Sequence, residues 1–459
     1  MSAERVLRAD VGIVGAGPGG MAAATGLAAA GLSVVVLDEG LQPGGQIFRQ
    51  LPVGAGRDGL LAEPPSHHRG HDLLARLSGS GVRVLGGATV WNGKPGSLWF
   101  ERDGASWLLQ CDRIVLATGA CDRLIPFPGW TLPGVVTAGA LQVMVRGFGV
   151  VPGRRALVAG SGPLLLPTVT SLLGAGVEVA AALEASSRWN ALRAVPGVLK
   201  NRARRREATW YLRRLFAAGV RLRWGAALLR CEGDGRVERA VIGRVDRHGR
   251  PLPGTERTLE VDVVGVGYGL VPAIELGLLL GCSARFDAPR GGHCIAVDDG
   301  QRTSAPGVFA VGETCGVGGA EVAVADGELE AAVIVQLVRG TDVPPRLRSV
   351  ARAERRAADA MLRAFAPLPG LAELARDDTI VCRCEDVRLH EARAAAALHG
   401  PSLRAIKVGC RAGMGPCQAR ICGPSLQALA CDAPGRPMDL PVAQVPIKPV
   451  TAATIANAP

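Results

Sequence analysis

Tyrosine occurs only twice, at Tyr211 and Tyr268, and all aromatic residues together make up 4 % of the chain. Base-stacking recognition of nucleic acid needs rings interleaved with basic residues. None are interleaved here, so the net charge of +11 is read as arginine on helix faces or an anionic partner, not as a nucleic-acid surface. The shortage of rings also means a core of Ala, Val, Leu and Gly, which suits tight α/β packing. No cysteine pair at C-x2-C or C-x4-C spacing precedes Cys382, so the dithiol that a disulfide reductase holds beside its redox cofactor is missing. No apolar segment stands ahead of a cleavage site near the N-terminus, so a signal peptide is not expected and a cytoplasmic location is the default. In that setting the 12 cysteines read as thiols or metal ligands, not disulfides. No charge interrupts Val11 to Leu37. Such a run resembles a membrane span, but its glycines, Pro18 and strand–turn–helix pattern argue for a buried βαβ unit.

That unit organises the chain. Val11 to Val14 is a short β-branched run suited to a buried parallel strand. Gly15, Gly17 and Gly20 follow at G-x-G-x-x-G spacing. The first glycine allows the tight turn, the second lets backbone approach a pyrophosphate, and the third lets the helix pack against the strand. The helix of Met21 to Ala30 then offers its N-terminus to phosphate. A second strand, Ser33 to Leu37, ends at Asp38, where a carboxylate suits a ribose hydroxyl.

Beyond Asp38, the Gly44-Gly45 pair suits backbone wrapped around a flavin, with Gln46 or Arg49 near the ring. His67, His68 and His71 cluster in a polar stretch from Glu63. Without a companion Cys or acid at ligand spacing, a solvated loop is expected there in preference to zinc. Val82 to Val90 reads as one strand, and Leu98 to Cys111 as a hairpin turned at Asp103-Gly104. A further strand ends in Ala117-Thr118-Gly119-Ala120, where flavoprotein folds cross to the next domain. Arg155 to Ala159 opens a second strand–turn–helix, Gly160-Ser161-Gly162-Pro163-Leu164-Leu165, followed by a strand ending at Glu184. Leu165 stands where the third glycine belongs. It should hold the helix away and crowd a pyrophosphate, which argues against NAD(P) there. Lys200 to Phe216 is arginine-dense, most simply a solvated helix face. The strand ending in Gly312-Glu313 sets a carboxylate for a ribityl chain, and Gly316, Gly318 and Gly319 lead into a helix from Glu321. Arg346 to Phe365 is a charged amphipathic helix, and Pro367 to Gly370 marks a break.

The last 80 residues hold Cys382, Cys384, Cys410, Cys417, Cys422 and Cys431. C-x-C followed by C-x4-C gives four thiolates from two short loops. Structural zinc usually takes wider pairs, because an x1 spacing strains a tetrahedral single-metal site. A 2Fe-2S cluster tolerates it. Zinc and buried thiols remain the alternatives. Arg383, Lys407, Arg411 and Arg420 are candidates to balance an anionic cluster.

The glycine turn, Ala117-Thr118-Gly119-Ala120, the Trp130-Thr131-Leu132-Pro133-Gly134-Val135 turn, Gly160 to Leu166 and Arg411-Ala412-Gly413-Met414-Gly415-Pro416-Cys417-Gln418 together carry a family likeness. The first part resembles the pyridine nucleotide-disulfide reductase fold, and the C-terminal unit resembles a bacterioferritin-associated-ferredoxin-type domain. The combination is similar to the flavoprotein subunits of hydrogen cyanide synthase, opine oxidase and dye-linked proline or hydroxyproline dehydrogenases. The likeness implies an α/β chain with two dinucleotide-binding-type (Rossmann-like) domains and a small 2Fe-2S domain. The expected boundaries are 1–124 with 271–345 for the FAD domain, 125–270 for the insertion, 346–376 for a helical linker, 377–432 for the 2Fe-2S domain and 433–459 for a Pro-rich tail draped over a partner. It implies FAD contacts at Gly15, Gly17, Pro18, Gly20, Asp38, Glu39, Gly45, Gln46, Val90, Thr118, Gly119, Gly312 and Glu313. Cluster ligands would be Cys382, Cys384, Cys417 and Cys422, with Cys410 a spare. FMN at a subunit interface, or ATP, are further cofactors found in such complexes. The implied partners are a flavin subunit like an amino-acid oxidase and a small ferredoxin-like subunit, with any membrane contact peripheral and made through the complex. The implied role is passing electrons from a partner's flavin to an acceptor, with no catalytic residue assigned in this chain. Two other readings stay open: a stand-alone NAD(P)H oxidoreductase, and a non-enzymatic iron-handling or regulatory protein.

Overall fold

The computed structural model describes residues 5–50, 63–193, 202–431, 439–440 and 443–459. β1 (Val6–Val14) leads through α1 (Pro18–Ala29) to β2 (Val34–Asp38), and the two strands pair in parallel with Val11 opposite Val34. The strand begins five residues earlier than the apolar run, because Val6 to Ala9 also find partners along β6. The stretch expected as a solvated histidine loop is instead the start of α2 (His67–Ser78). His67, Gly70, Leu73 and Leu77 share its buried face at helical spacing. His67 lies edge-on to Phe48 and 3.3 Å from Arg146, while His71 pairs with Glu63 at 2.7 Å. Burial, with Arg146 next, pushes the His67 imidazole down to about 4.

Val82 to Val90 is not one strand. A turn at Gly87, with φ +68°, separates β3 (Arg83–Gly86) from β4 (Thr89–Lys94). β4, β5 (Ser97–Arg102) and β6 (Ala105–Leu116) form an antiparallel meander turned at Asp103-Gly104. β6 is a single strand of 12 residues with two sets of partners. Residues 105–110 close the hairpin, residues 108–116 pair in parallel with β1, and 114–116 also pair with Val308–Ala310. The expected hairpin arm and the expected separate strand are therefore one element.

β7 (Ala120–Asp122) carries the chain into the insertion. There β8 (Val135–Thr137), β9 (Arg155–Gly160), α3 (Leu165–Gly174), β10 (Glu178–Glu184), α4 (Arg202–Ala217) and β11 (Leu222–Trp224) build a second parallel sheet. Its order is β11-β10-β9-β15-β8, where β15 is Val263–Gly267, and the meander β12 (Ala226–Glu232), β13 (Arg239–Arg244) and β14 (Arg257–Glu260) precedes β15. β16 (Leu270–Pro272) pairs with β7 and returns the chain to the first fold.

α5 (Ala320–Arg339) packs on α1, where Ala and Gly let the backbones approach, and their apolar faces join Val11, Ile13, Val36 and Val115 in one core. α6 (Pro345–Ala364) ends before a turn at Pro369–Leu374. The cysteine unit then forms from two short strands, Ile380–Cys382 and Val387–Arg388, with α7 (Leu389–His399), α8 (Leu403–Cys410) and α9 (Gly423–Ala430) around its own core.

The tail does not extend away from the chain. Residues 433–438 and 441–442 lie outside the described residues, but 443–459 fold back onto the first domain. Ile447 is buried and its N–H donates to the Trp91 carbonyl at 3.0 Å. Lys448 pairs with Glu39 at 2.8 Å, and the Trp99 indole donates to the Pro459 carbonyl at 3.0 Å. Burying Ile447 in the sheet core offsets the low helix and strand propensity of this stretch. Among the described residues no helix is long and apolar enough to cross a membrane.

Candidate functional site

The first glycine turn combines positions that must be glycine with positions that leave room. A Cβ on Gly15, at φ +106°, would stand 2.2 Å from the Ala117 carbonyl oxygen, and one on Gly20 would stand 1.9 Å from the Gly15 carbonyl oxygen. These two glycines close the strand, turn and helix on each other. A Cβ on Gly17 would meet nothing nearer than Gly45 Cα at 3.9 Å. The space facing Gly17 is room that a pyrophosphate would fill, beside the start of α1 at Pro18.

Asp38 stands across this turn. One of its oxygens accepts the Ala16 N–H and the other accepts the Gly40 N–H at 2.7 Å. Each keeps a lone pair for a hydroxyl. Burial pushes its carboxyl above the usual range, against those two donors. Glu39 is turned to Lys448. Gly44 donates to the Ala16 carbonyl at 2.9 Å and brings Gly45 against Gly17. Gln46 accepts from Arg49, so the two residues expected near the ring pair with each other. Val90 is buried in the sheet, which leaves only its backbone for a ligand.

At the end of β6, Thr118 Oγ donates to the Ala273 carbonyl at 2.6 Å and lies 3.0 Å from Thr314 Oγ, which also accepts the Gly119 N–H at 3.2 Å. Thr314 joins the crossover to the turn carrying Gly312 and Glu313, a link sequence spacing did not reveal. Cβ positions on Gly119 and Gly319 would meet nothing within 4 Å, so both face open space. Glu313 accepts the Gly319 N–H at 3.3 Å beside the start of α5, and burial raises its carboxyl. Arg355 of α6 donates to the carbonyls of Gly316 at 2.8 Å and Val317 at 3.2 Å and pairs with the buried Asp326 at 3.0 Å. It thereby pins the loop to the linker helix.

The second turn has the same plan and a different outcome. Leu165 is buried, and α3 starts at Leu165 itself, two positions later along the motif than α1. Its opening bonds, Leu165 N–H to the Gly162 carbonyl and Leu166 N–H to the Pro163 carbonyl, both 3.3 Å, are of the tighter i to i+3 kind. Glu184 accepts the N–H groups of Gly162 at 2.8 Å and Ser186 at 2.9 Å. The mouth is taken by the end of α6: Ser161 Oγ donates to the Phe365 carbonyl at 3.0 Å, and Phe365 Cβ lies 3.6 Å from where a Gly162 Cβ would stand.

In the C-terminal unit the four expected thiols meet. Cys382 contacts Cys422, Cys422 contacts Cys417, and Cys417 lies 3.9 Å from Cys384. The Gly413 N–H donates to Cys382 Sγ at 3.3 Å. Hydrogen bonding from Cys422 brings Cys382 down to about 6 and Cys417 down to about 5, and those same two contacts raise Cys422 itself. Cys410 turns aside and donates to the Ile406 carbonyl at 3.2 Å. Among the described residues no group of three or more His, Cys, Asp or Glu side chains is arranged to hold a metal ion. The four sulfurs form one connected group through the contacts Cys382–Cys422, Cys422–Cys417 and Cys417–Cys384. Three of the expected balancing arginines are engaged elsewhere. Arg383 covers the Trp130 ring at 5.0 Å, Arg411 pairs with Glu385 at 3.0 Å and Arg420 with Glu275 at 2.9 Å.

Residues 9–327 match the pyridine nucleotide-disulphide oxidoreductase family. The chain belongs to that family. An opine oxidase subunit from Rhizobium meliloti (strain 1021) is 33 % identical over 92 % of this chain and 92 % of its own length. The HcnB subunit of hydrogen cyanide synthase from Pseudomonas aeruginosa is 32 % identical over 89 % of this chain and 90 % of its own length. The crystal structure of L-proline dehydrogenase from P. horikoshii superposes with a TM-score of 0.70 at 22 % identity, covering 99 % of this chain and 81 % of the other, a likeness of fold. The protein is thus a flavin-dependent oxidoreductase, related to subunits of oxidase and synthase complexes.

Proposed function

We propose that this chain is the FAD- and 2Fe-2S-bearing subunit of an amino-acid or opine dehydrogenase complex, taking electrons from a partner's flavin and passing them to an acceptor. The observation that carries the reading is the meeting of four thiols from two short loops, joined in one chain to a glycine cradle. Two irons need two thiolates each, which the C-x-C and C-x4-C pairs supply, whereas the x1 spacing strains the tetrahedron a single zinc ion requires. Gly17, Gly119 and Gly319 leave room for a dinucleotide flavin. In this reading Gly15 to Gly20, Asp38 and Glu313 hold FAD, Cys382, Cys384, Cys417 and Cys422 hold the cluster, and Cys410 is spare. The domain limits are those expected above, with 443–459 assigned to the surface of the FAD domain.

FAD supplies two-electron chemistry and the cluster one-electron transfer. The chain's own residues bind, orient and shield these groups. We assign no acid–base set to this chain and give substrate oxidation to the partner. NAD(P)H is not assigned to the second turn, where Phe365 stands. The test is dye reduction with glycine, proline, hydroxyproline or opines, by this chain alone and with a co-expressed oxidase-like flavin subunit. Activity only in the complex is expected. Turnover by the isolated chain at the rate of the complex would overturn the reading.

A further inference from the structure

The cysteine unit docks where the chain crosses between the two sheets, against the outgoing segment after β7 and the return after β16. Ser425 Oγ donates to the Leu124 carbonyl at 2.6 Å in a buried contact, and the Trp130 indole donates to the Ile380 carbonyl at 2.6 Å. Arg420 and Glu275 form an ion pair across this contact at 2.9 Å, with both side chains less than one-fifth exposed. Arg420 lies inside the C-x4-C loop, between Cys417 and Cys422. Gln418 and Ala419 just before it both hold left-handed backbone, φ +51° and +66°, a costly conformation for residues with side chains. That bend aims Arg420 out of the loop, and its guanidinium also donates to the Ile447 carbonyl of the returning tail.

Glu275 follows closely on a residue that bonds to the Thr118-Gly119 loop. Two residues before it, Ala273 donates its N–H to the Gly119 carbonyl at 2.9 Å and accepts from Thr118 Oγ at 2.6 Å. Cys121, opposite Val271 in the β7–β16 pair, is near enough to feel both charges of the ion pair. A continuous set of contacts thus runs from the cysteine loop through Arg420, Glu275 and Ala273 to Thr118 and Gly119.

We propose that the Arg420–Glu275 pair couples the cysteine cluster to the flavin loop, with Arg420 a positioning residue that sets both the docking of the cluster loop and the charge beside the cluster. The inference rests on the cofactor reading above and adds the contact that joins the two centres. Its first consequence needs no cofactor. In the full chain, Glu275→Gln and Arg420→Gln should each speed amide exchange at Ala120 to Leu124 several-fold, with exchange in β1 and β2 unchanged. Its second uses the loaded protein. Glu275→Gln leaves a bare cation near the cluster and should raise its midpoint potential. Arg420→Gln removes that cation and should lower it, and the double variant should return towards wild type, since opposite charges act with opposite sign. A merely structural contact would move both single variants the same way. Unchanged exchange in both variants, or shifts of one sign, would overturn the proposal. Absence of flavin or iron from the wild-type chain would instead overturn the cofactor reading and leave the exchange measurement to decide the docking role.

Discussion

The two glycine turns start from nearly the same sequence plan: an apolar strand, G-x-G, a proline, a helix, and a second strand ending in an acid. In the first turn Gly20 lets α1 start at once, a Cβ at Gly17 would meet only Gly45 Cα at 3.9 Å, and Asp38 keeps capacity for a ligand. In the second, Leu165 delays the helix, and the end of α6 lies across Ser161 and Gly162. One residue at the third motif position and one long-range visitor at the mouth separate the two turns. The lesson is physical: a fingerprint is a statement about empty space, and that space is decided as much by what returns to it as by the motif.

The comparison can be broken at several points. Gly15→Ala should cost about 4 kcal/mol or more, since the new carbon would overlap the Ala117 carbonyl at a positive φ. By contrast, Gly17→Val should change stability by less than about 1 kcal/mol and yet abolish flavin retention. Denaturant melts and flavin absorbance of the purified variants separate the two effects, and full flavin occupancy in Gly17→Val would remove that site from the account. Leu165→Gly, in the second turn, should cost about 3 kcal/mol from lost burial and cavity and should not confer reduction by NAD(P)H. Rapid flavin bleaching by NADPH in that variant would mean Leu165 alone had been closing a working site.

Smaller effects sharpen the picture. The first fold carries Glu330 on α5, fully buried with neither carboxylate oxygen bonded, and burial raises it to about 8. Because the folded chain holds this proton longer than the unfolded one, stability falls as pH rises from the ordinary 4.5 to about 8 and levels beyond. Glu330→Gln should therefore melt with the wild type near pH 4.5 and be more stable by up to about 4 kcal/mol at pH 8. Parallel melting curves at both pH values would contradict this. Lys448→Ala should cost about 0.5 kcal/mol, as expected for an exposed ion pair, and should leave flavin content unchanged if the tail only straps the domain.

What the sequence made legible was local. β1, α1, β2 and Asp38 follow from spacing within thirty or so residues, and so do the crossover at Thr118-Gly119, the Gly312-Glu313 turn and the paired cysteine loops. α2 was also within reach, because His67, Gly70, Leu73 and Leu77 recur at helical period, but the polar residues around the three histidines read as a solvated loop instead. The rest depends on residues far apart in the chain. Phe365 in the second turn, Arg355 on the flavin loop, Ile447 under Trp91 and Glu275 beside Arg420 each join segments separated by dozens to hundreds of positions. No short-range period announces such contacts. They arise when the linker helix and the tail settle on apolar and charged patches that the two sheets leave uncovered.

The central claim is that one chain holds a flavin at its first turn and a 2Fe-2S cluster on four named thiols. The most direct measurement is flavin, iron, zinc and acid-labile sulfide content with EPR of the reduced protein, on wild type and on single Cys→Ser variants at 382, 384, 410, 417 and 422. The account predicts FAD, iron and sulfide in wild type, an EPR signal that survives Cys410→Ser, and loss or alteration of it in the other four. Zinc in place of iron and sulfide, or a cluster lost in Cys410→Ser and kept in Cys422→Ser, would contradict it.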